Sequence, residues 1–308
     1  MWFKNLTLYR FTEPFVLDPE ELEQQLSAQA SRPCGKLEMF TYGWVSPLGR
    51  IGKTLIHVTN GQIMLCARKE EKLLPASVIR EFVDERIAEL EEAENRGVSN
   101  YERQGIRDEI IQDLLPKALI RSTLTYAYIA PKEGWLIVDA ASARKAEELT
   151  ALLRDSLGSL SIIPPALGNR PARVMTGWLS DGVPEDFEIE DECELRDPEE
   201  EGGIVRCRRQ DLGSDEIRAH LQAGKQVVKL AVQWDRRLTC ILGEDLSIKR
   251  LRFTDIVQEE AAEVDVDSAA ARFDADFAIM SLELARFLPR LVESFGGEDR
   301  QIHRGKAA

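Results

Sequence analysis

Apolar and polar residues alternate near the start of the chain, and residues 2–10 (WFKNLTLYR) predict a half-buried strand. Asp18-Pro19-Glu20-Glu21 then opens a helix, with Asp18 as N-cap and Pro19 in the first helical position. That helix is expected to run to about Ala30 with Leu22 and Leu26 inward, until Pro33 and Gly35 end it. Residues 37–45 predict a strand, and Pro47, Gly49 and Gly52 mark a loop. Thr54–Thr59 and Gln62–Arg68 predict two strands joined by Asn60-Gly61, a dipeptide that tolerates positive φ at both turn positions.

From Pro75 the period changes. A helix to about Ala93 carries the stripe Val78, Phe82, Ile87 and Leu90. A second, from about Tyr101 to Leu115, carries Ile106, Ile110, Leu114 and Leu115. Gly97 and Asn100 fit the turn of an αα-hairpin, which would project between sheet segments as a finger. Strands follow at Leu124–Ile129 and Trp135–Asp139, then a helix capped by Ser142 and ended by Gly158. A short strand at Ser161–Pro165 leads into the linker-like stretch Pro164–Pro171.

The second half predicts a helix at Pro171–Leu179 and a strand at Asp186–Ile189 running into an acidic stretch. A strand at Gly203–Arg208 and a helix at Ser214–Ala223, capped by Ser214, come next. Strands at Gln226–Trp234, Arg237–Leu242 and Ser247–Phe253 form an antiparallel meander. The last helix spans about Asp267 to Phe295, with Asp274-Ala275 and Pro289 as possible breaks. Hairpins mixed with helices, without βαβ alternation, predict an α+β protein of antiparallel sheet segments with a projecting helical hairpin. The expected organisation is residues 1–75 with 117–165 as a central α+β domain, 76–116 as a helical finger, and 166–308 as a second α+β domain with the C-terminal helix.

Composition excludes several classes of function. No apolar run approaches the roughly 20 residues that span a bilayer, and Met1-Trp2-Phe3-Lys4-Asn5 lacks the features of a signal peptide. A cytoplasmic protein with no membrane partner is expected. The five cysteines contain no CxxC, and the three histidines show no metal-binding spacing, so reduced cysteines and no metal are expected. No phosphate-cradling glycine loop or GxSxG elbow occurs, and no cofactor is implied. Asp235, Glu244 and Asp245 offer the material for an acidic nuclease site, but solvated turn acids on a hairpin are the simpler reading. Local sequence gives no support for an enzyme.

The charge is sorted. The chain carries a formal net charge of −14, yet its basic residues form islands beside acidic runs. Glu185–Glu201 is rich in acid and is followed by Arg206, Arg208 and Arg209. Lys249, Arg250 and Arg252 precede the acidic stretch Asp255–Asp267. Clustered cations bind nucleic acid because each neutralised phosphate releases counterions. The candidates are Lys117, Arg121, Arg206, Arg208, Arg209, Lys225, Lys229, Arg236, Arg237, Lys249, Arg250 and Arg252. Alternation puts Arg206 with Arg208, and Arg250 with Arg252, on shared faces; Lys225 would join Arg237 across the meander. The acidic runs would then cover the opposite side. The competing reading pairs each island with its acidic neighbour in surface ion pairs of small individual value.

The stretch His57–Ile79 (HVTNGQIMLCARKEEKLLPASVI) closely resembles the RdgC family of bacterial recombination-associated proteins. So do Trp2-Phe3-Lys4-Asn5-Leu6, Pro33-Cys34-Gly35, Gly43-Trp44-Val45, Ala151–Arg154, Ser156–Leu160 and Arg272–Phe277, and the similarity covers essentially the whole chain. The resemblance implies a non-enzymatic, sequence-independent DNA-binding protein that forms a ring-shaped homodimer. Duplex DNA would thread a positive inner surface, the exterior would be acidic, and the ring would restrain access of RecA-type recombinase in the nucleoid. It implies a finger at about 76–116, with Lys117 as the basic position after it and Arg121 as a nearby arginine. Arg208-Arg209-Gln210-Asp211 resembles the family's basic pair followed by Gln-Asp. Those positions are expected near bound DNA and near the contacts that close the ring. Leu119 stands there in place of a bulky aromatic found in some relatives. The alternative is an interaction protein that acts on a recombinase directly through its acidic surface.

Overall fold

The computed structural model describes residues 1–199, 202–263 and 267–299. Two antiparallel sheets organise the chain. The first comprises β1 (Thr7–Phe11), β2 (Phe40–Trp44), β3 (Ile56–Thr59), β4 (Gln62–Lys72), β5 (Ile120–Ala130), β6 (Trp135–Val138) and β7 (Ile162–Ile163), ordered β2-β4-β5-β6-β1-β7, with β3 also pairing β4. The second comprises β8 (Phe187–Arg196), β9 (Ile204–Arg208), β10 (Gln226–Trp234), β11 (Leu238–Gly243) and β12 (Ile248–Phe253), ordered β12-β11-β10-β8-β9. The helices are α1 (Pro19–Ser27), α2 (Ala76–Glu94), α3 (Asn100–Leu114), α4 (Ala143–Leu157), α5 (Pro171–Asp181), α6 (Asp215–Gln222), α7 (Asp255–Ala262) and α8 (Ala269–Ser294). The α+β class read from the sequence is the observed one.

Alternation explains the layering. Ile63, Leu65, Ala127, Ile129, Leu136 and Val138 belong to one core with α1 and α4. Their neighbours Met64, Tyr128, Ala130, Trp135 and Ile137 belong to a second core with α5, α8 and the second sheet. Strands buried on both faces read as apolar runs, as these do. Helix α8 joins the two sheets: Phe277 packs on Tyr128 at 5.7 Å between ring centroids, and Phe287 packs on Trp234 at 5.3 Å. His57 on β3 also meets Asp274 of α8 at 2.9 Å. Pro289 lies within α8 without breaking it.

Several boundaries differ from expectation for physical reasons. The N-terminal strand begins only at Thr7, because the preceding residues join the second sheet. Leu6 exchanges both backbone hydrogen bonds with Ile248, and the Lys4 carbonyl accepts from the Leu251 amide. Helix α1 stops at Ser27, and the chain turns so that Ala30 bridges Trp44. The inward stripe of α2 is Ile79, Val83 and Ile87, one residue beyond the expected Val78 and Phe82 at its start. The steps 79, 83, 87 keep helical spacing, whereas 82 to 87 does not. Ser214 occupies the N-cap of α6, but its buried hydroxyl makes no capping bond. Helix α7 falls within the stretch that reads only as acidic; Val257 and Ala261, one turn apart, are its buried face.

The Asn60-Gly61 turn is as expected, with φ of 52° and 78°. Beyond it, β4 and β5 pair continuously from Ile63↔Ile129 to Lys72↔Ile120 and form an arm that carries the α2–α3 finger. Ile79, Val83, Ile87 and Ile106 give the finger its own small core. Ser99 and Glu102 start α3 with a reciprocal capping box, a signal the sequence reading passed over in favour of Gly97 and Asn100.

Candidate nucleic-acid interface

The basic islands meet on the second sheet. In the β8–β9 ladder Arg206 stands opposite Glu194, and Arg208 opposite Glu192. Arg206 donates through Nε to Glu194 at 2.9 Å, and Lys229 of β10 donates to the same carboxylate oxygen at 2.9 Å. Arg208 Nε lies 3.3 Å from Glu192, whose other oxygen accepts from Arg250 of β12 at 2.7 Å. A hollow of about 150 Å³ lies over this face, lined by Arg206, Arg208, Lys229, Lys249 and Arg250.

Arg250 sits at an irregularity in the β11–β12 register with φ of 51°. A bulge re-aims the side chain of its strand, so Arg250 and Arg252 do not share a face by simple alternation. It is Lys249 and Arg252, opposite Ile241 and Thr239, that match in register parity.

The acidic run is not on the opposite side. β8 continues to Arg196, so Glu192 and Glu194 stand among the cations. Glu194 is buried, which disfavours its charge, yet hydrogen bonds from Lys229 and Arg206 hold its carboxyl below the usual carboxylate range. Five cations against two carboxylates give the lining a formal excess of positive charge, and the cations gathered there are also ion-paired. The missed signal was the alternation Glu188, Glu190, Glu192, Glu194, which reads as a strand with an acidic face.

The other candidate residues lie elsewhere. Lys225 precedes β10 and is held by Asp197 at 3.4 Å. Arg237 does not join it: it lies beyond the other end of β10 and is spent on Glu283 and Glu260, each at 2.6 Å. Arg236 lies 3.6 Å from Glu188. Arg209 is exposed with φ of 53°, and the Gln210 side-chain amide donates to Glu216 at 3.2 Å. Lys117, Leu119 and Arg121 belong to the arm of the first sheet. Arg121 is paired with Glu71 there, and Leu119 is 76% exposed. Backbone bonds Leu73–Leu119 and Lys72–Met39 bring five exposed apolar residues onto neighbouring strands of the arm; by ladder parity Leu119, Leu73 and Phe40 share one face, and Met39 and Ile120 the other. Asp235 and Glu244–Asp245 occupy turns at opposite ends of β11, about 20 Å apart, so they do not assemble one acidic site. Among the described residues no three His, Cys, Asp or Glu side chains group to hold a metal ion, and no helix is long and apolar enough to cross a membrane.

Glu194 is the carboxylate that Arg206 and Lys229 share, so its charge opposes that of an anion on this face. Glu194→Gln is expected to tighten binding of duplex DNA about three- to tenfold, because Arg206 and Lys229 lose an adjacent opposing charge. It should also cost about 1–2 kcal/mol of folding stability. Fluorescence anisotropy and urea unfolding read the two effects, and unchanged or weaker binding by the folded variant would remove Glu194 from this role.

Comparison with known proteins places the chain in a family. A family model described as "Putative exonuclease, RdgC" matches residues 1–298. A "Recombination-associated protein RdgC" of Aeromonas hydrophila is 48% identical over 98% of this chain and all of its own length. Proteins of the same name from Tolumonas auensis and Pseudomonas aeruginosa are 48% and 44% identical, each over 97% of this chain. The family description carries the word exonuclease, whereas these relatives are named for recombination. With full-length similarity of this order, the chain belongs to the RdgC family.

Proposed function

We propose that this protein binds DNA without regard to sequence, as a ring-shaped homodimer that encloses duplex and limits access of a RecA-type recombinase. The observation that carries the proposal is the gathering of Arg206, Arg208, Lys229, Lys249 and Arg250 around one hollow. Cations on strands without a helix or loop to enter a groove suit phosphates rather than base edges. Arg252 extends that surface, and Lys225, Arg209 and Gln210 flank it. The second contact region is the arm of the first sheet. There Lys117 and Arg121 border the apolar patch of Leu119, and the occupant of that patch is a second copy of the chain, so that two arms close the ring. Residues 76–116 act as the finger, inserted between the two halves of the central domain, 1–75 and 117–165. The protein is not an enzyme in this reading, and it works at the nucleoid.

Binding of two unrelated duplexes, measured from 50 to 200 mM salt, tests the reading together with sedimentation. The expected result is equal affinity for both and a log–log salt slope of about −4 or steeper, from some five phosphate contacts per protomer. DNA should be recovered intact after incubation with Mg²⁺. Leu119→Arg should shift the dimer towards monomer. A marked sequence preference, a flat salt response or degraded DNA would overturn the proposal.

One observation favours direct action on a protein: Glu190, Asp191 and Asp211 line a hollow of about 370 Å³ with Leu179 and Ile189. Inhibition of a recombinase that persists under a large excess of competitor DNA would select that reading instead.

A further inference from the structure

The five cysteines have a relationship invisible in their spacing. Cys193 of β8 and Cys207 of β9 are direct cross-strand partners, so their side chains project from the same face of the ladder. All five are free thiols. In the same ladder the Asp197 amide donates to the Gly203 carbonyl at 3.2 Å. Paired residues of an antiparallel ladder alternate in type, so Cys193↔Cys207 is a narrow, hydrogen-bonded pair with Cα atoms about 5.5 Å apart. That separation is the usual one for a disulfide. The other cysteines lack such a partner: Cys66 faces Tyr126 across β4–β5, and Cys240 faces Val232 across β10–β11.

We propose that Cys193 and Cys207 are a reversible oxidation site, closing to a cross-strand disulfide when the protein meets hydrogen peroxide. Cys207 is half-buried on the edge strand, whereas Cys193 is 2% exposed, so Cys207 meets the oxidant. Its sulfur attacks one peroxide oxygen, giving a sulfenic acid and one water. The Cys193 thiol then displaces the sulfenic hydroxyl, forming the S–S bond and a second water. Two thiols are oxidised and one peroxide is reduced. Burial pushes the Cys193 thiol up to about 12, so the second step is slow at neutral pH and rises about tenfold per pH unit.

The bond would staple an edge strand. Arg206 and Arg208 flank Cys207 in sequence and project to the other face of β9. Closing the pair fixes the strand that carries them and slows its local opening. This inference does not depend on what the basic face binds.

The test treats full-length protein with equimolar hydrogen peroxide, blocks free thiols, and maps peptides without reduction. The expected product links the Cys193 and Cys207 segments, leaves three titratable thiols, reverts with dithiothreitol, and forms faster at pH 9 than at pH 7. Amide exchange along β9 should slow by about tenfold in the oxidised form. Cys240→Ser should behave as the wild type, and Cys207→Ser should form no intramolecular link. Over-oxidation of Cys207 without linkage, or linkage between molecules through Cys34, would overturn the proposal.

Discussion

A protein carrying Arg206→Glu and Arg208→Glu together is expected to lose about a hundredfold or more in duplex affinity at 0.1 M salt. Both side chains are about two-thirds exposed on the edge strand β9, so the exchange leaves the core untouched. It turns five cations and two carboxylates around the hollow into three cations and four carboxylates. Two phosphate contacts disappear, which should flatten the log–log salt slope by about 2, and repulsion adds to the loss. The loss should be equal for duplexes of any sequence, because phosphate contacts carry no base information. Adding Glu192→Arg and Glu194→Arg restores the charge balance with the signs exchanged across the ladder, and should recover much of the binding. Anisotropy titrations of the three proteins, with circular dichroism as a check on folding, decide the matter. Undiminished affinity in the folded double variant would mean that this face is not where DNA lies.

Much of the fold was legible because local rules and tertiary needs coincide there. Asn60-Gly61 between two apolar runs forms its hairpin because nothing beyond the turn opposes it. Asp18-Pro19 and Ser142 cap the helices that their chemistry predicts. The failures lie where distant contacts decide. Residues 4–6 leave the first sheet because Ile248 and Leu251, more than two hundred residues away in sequence, supply their hydrogen bonds. No local period reports such a partner. Helix α7 hides in an acidic stretch because only Val257 and Ala261 need to be buried.

The candidate site shows the same division. That Arg206 and Arg208 share a face follows from strand parity and needs only β9 to exist. That Lys229, Lys249 and Arg250 join them requires the strand order β12-β11-β10-β8-β9 and the irregularity in β12 at Arg250. Neither is written in the islands themselves. Charge sorting along a sequence also does not give charge sorting in space. The acidic run Glu185–Glu201 is expected on an outer surface, yet its part in β8 lies between β9, which carries Arg206 and Arg208, and β10, which carries Lys229. Resemblance alone marks Leu119, and the pairing of β4 with β5 and β2 brings Leu73 and Phe40 to its side of the arm.

Arg237 marks the limit of reading cations from composition, and it gives the largest expected effect on stability. By charge alone it belongs with the DNA-binding candidates. In the fold its side chain is 18% exposed and its Nε donates to Glu283 of α8, which is 2% exposed, while its terminal nitrogens grip Glu260 of α7. It thus ties the start of β11 to two helices, one of which separates the sheets. Arg237→Ala leaves a buried carboxylate with only Arg286, at 3.5 Å, as its charged partner. Removing one partner of a buried pair costs about 3–4 kcal/mol, which lowers the melting temperature of a chain this long by about 5–6 °C. Arg237→Met with Glu283→Leu removes both charges at similar volume and should return to within about 1–2 kcal/mol of the parent. DNA affinity of the folded Arg237→Ala protein should be unchanged, since Arg237 takes no part in the hollow around Arg206 and Arg250. Urea unfolding of the parent, both single variants and the double variant gives the coupling between the pair. A loss of DNA binding at undiminished stability would return Arg237 to the binding surface.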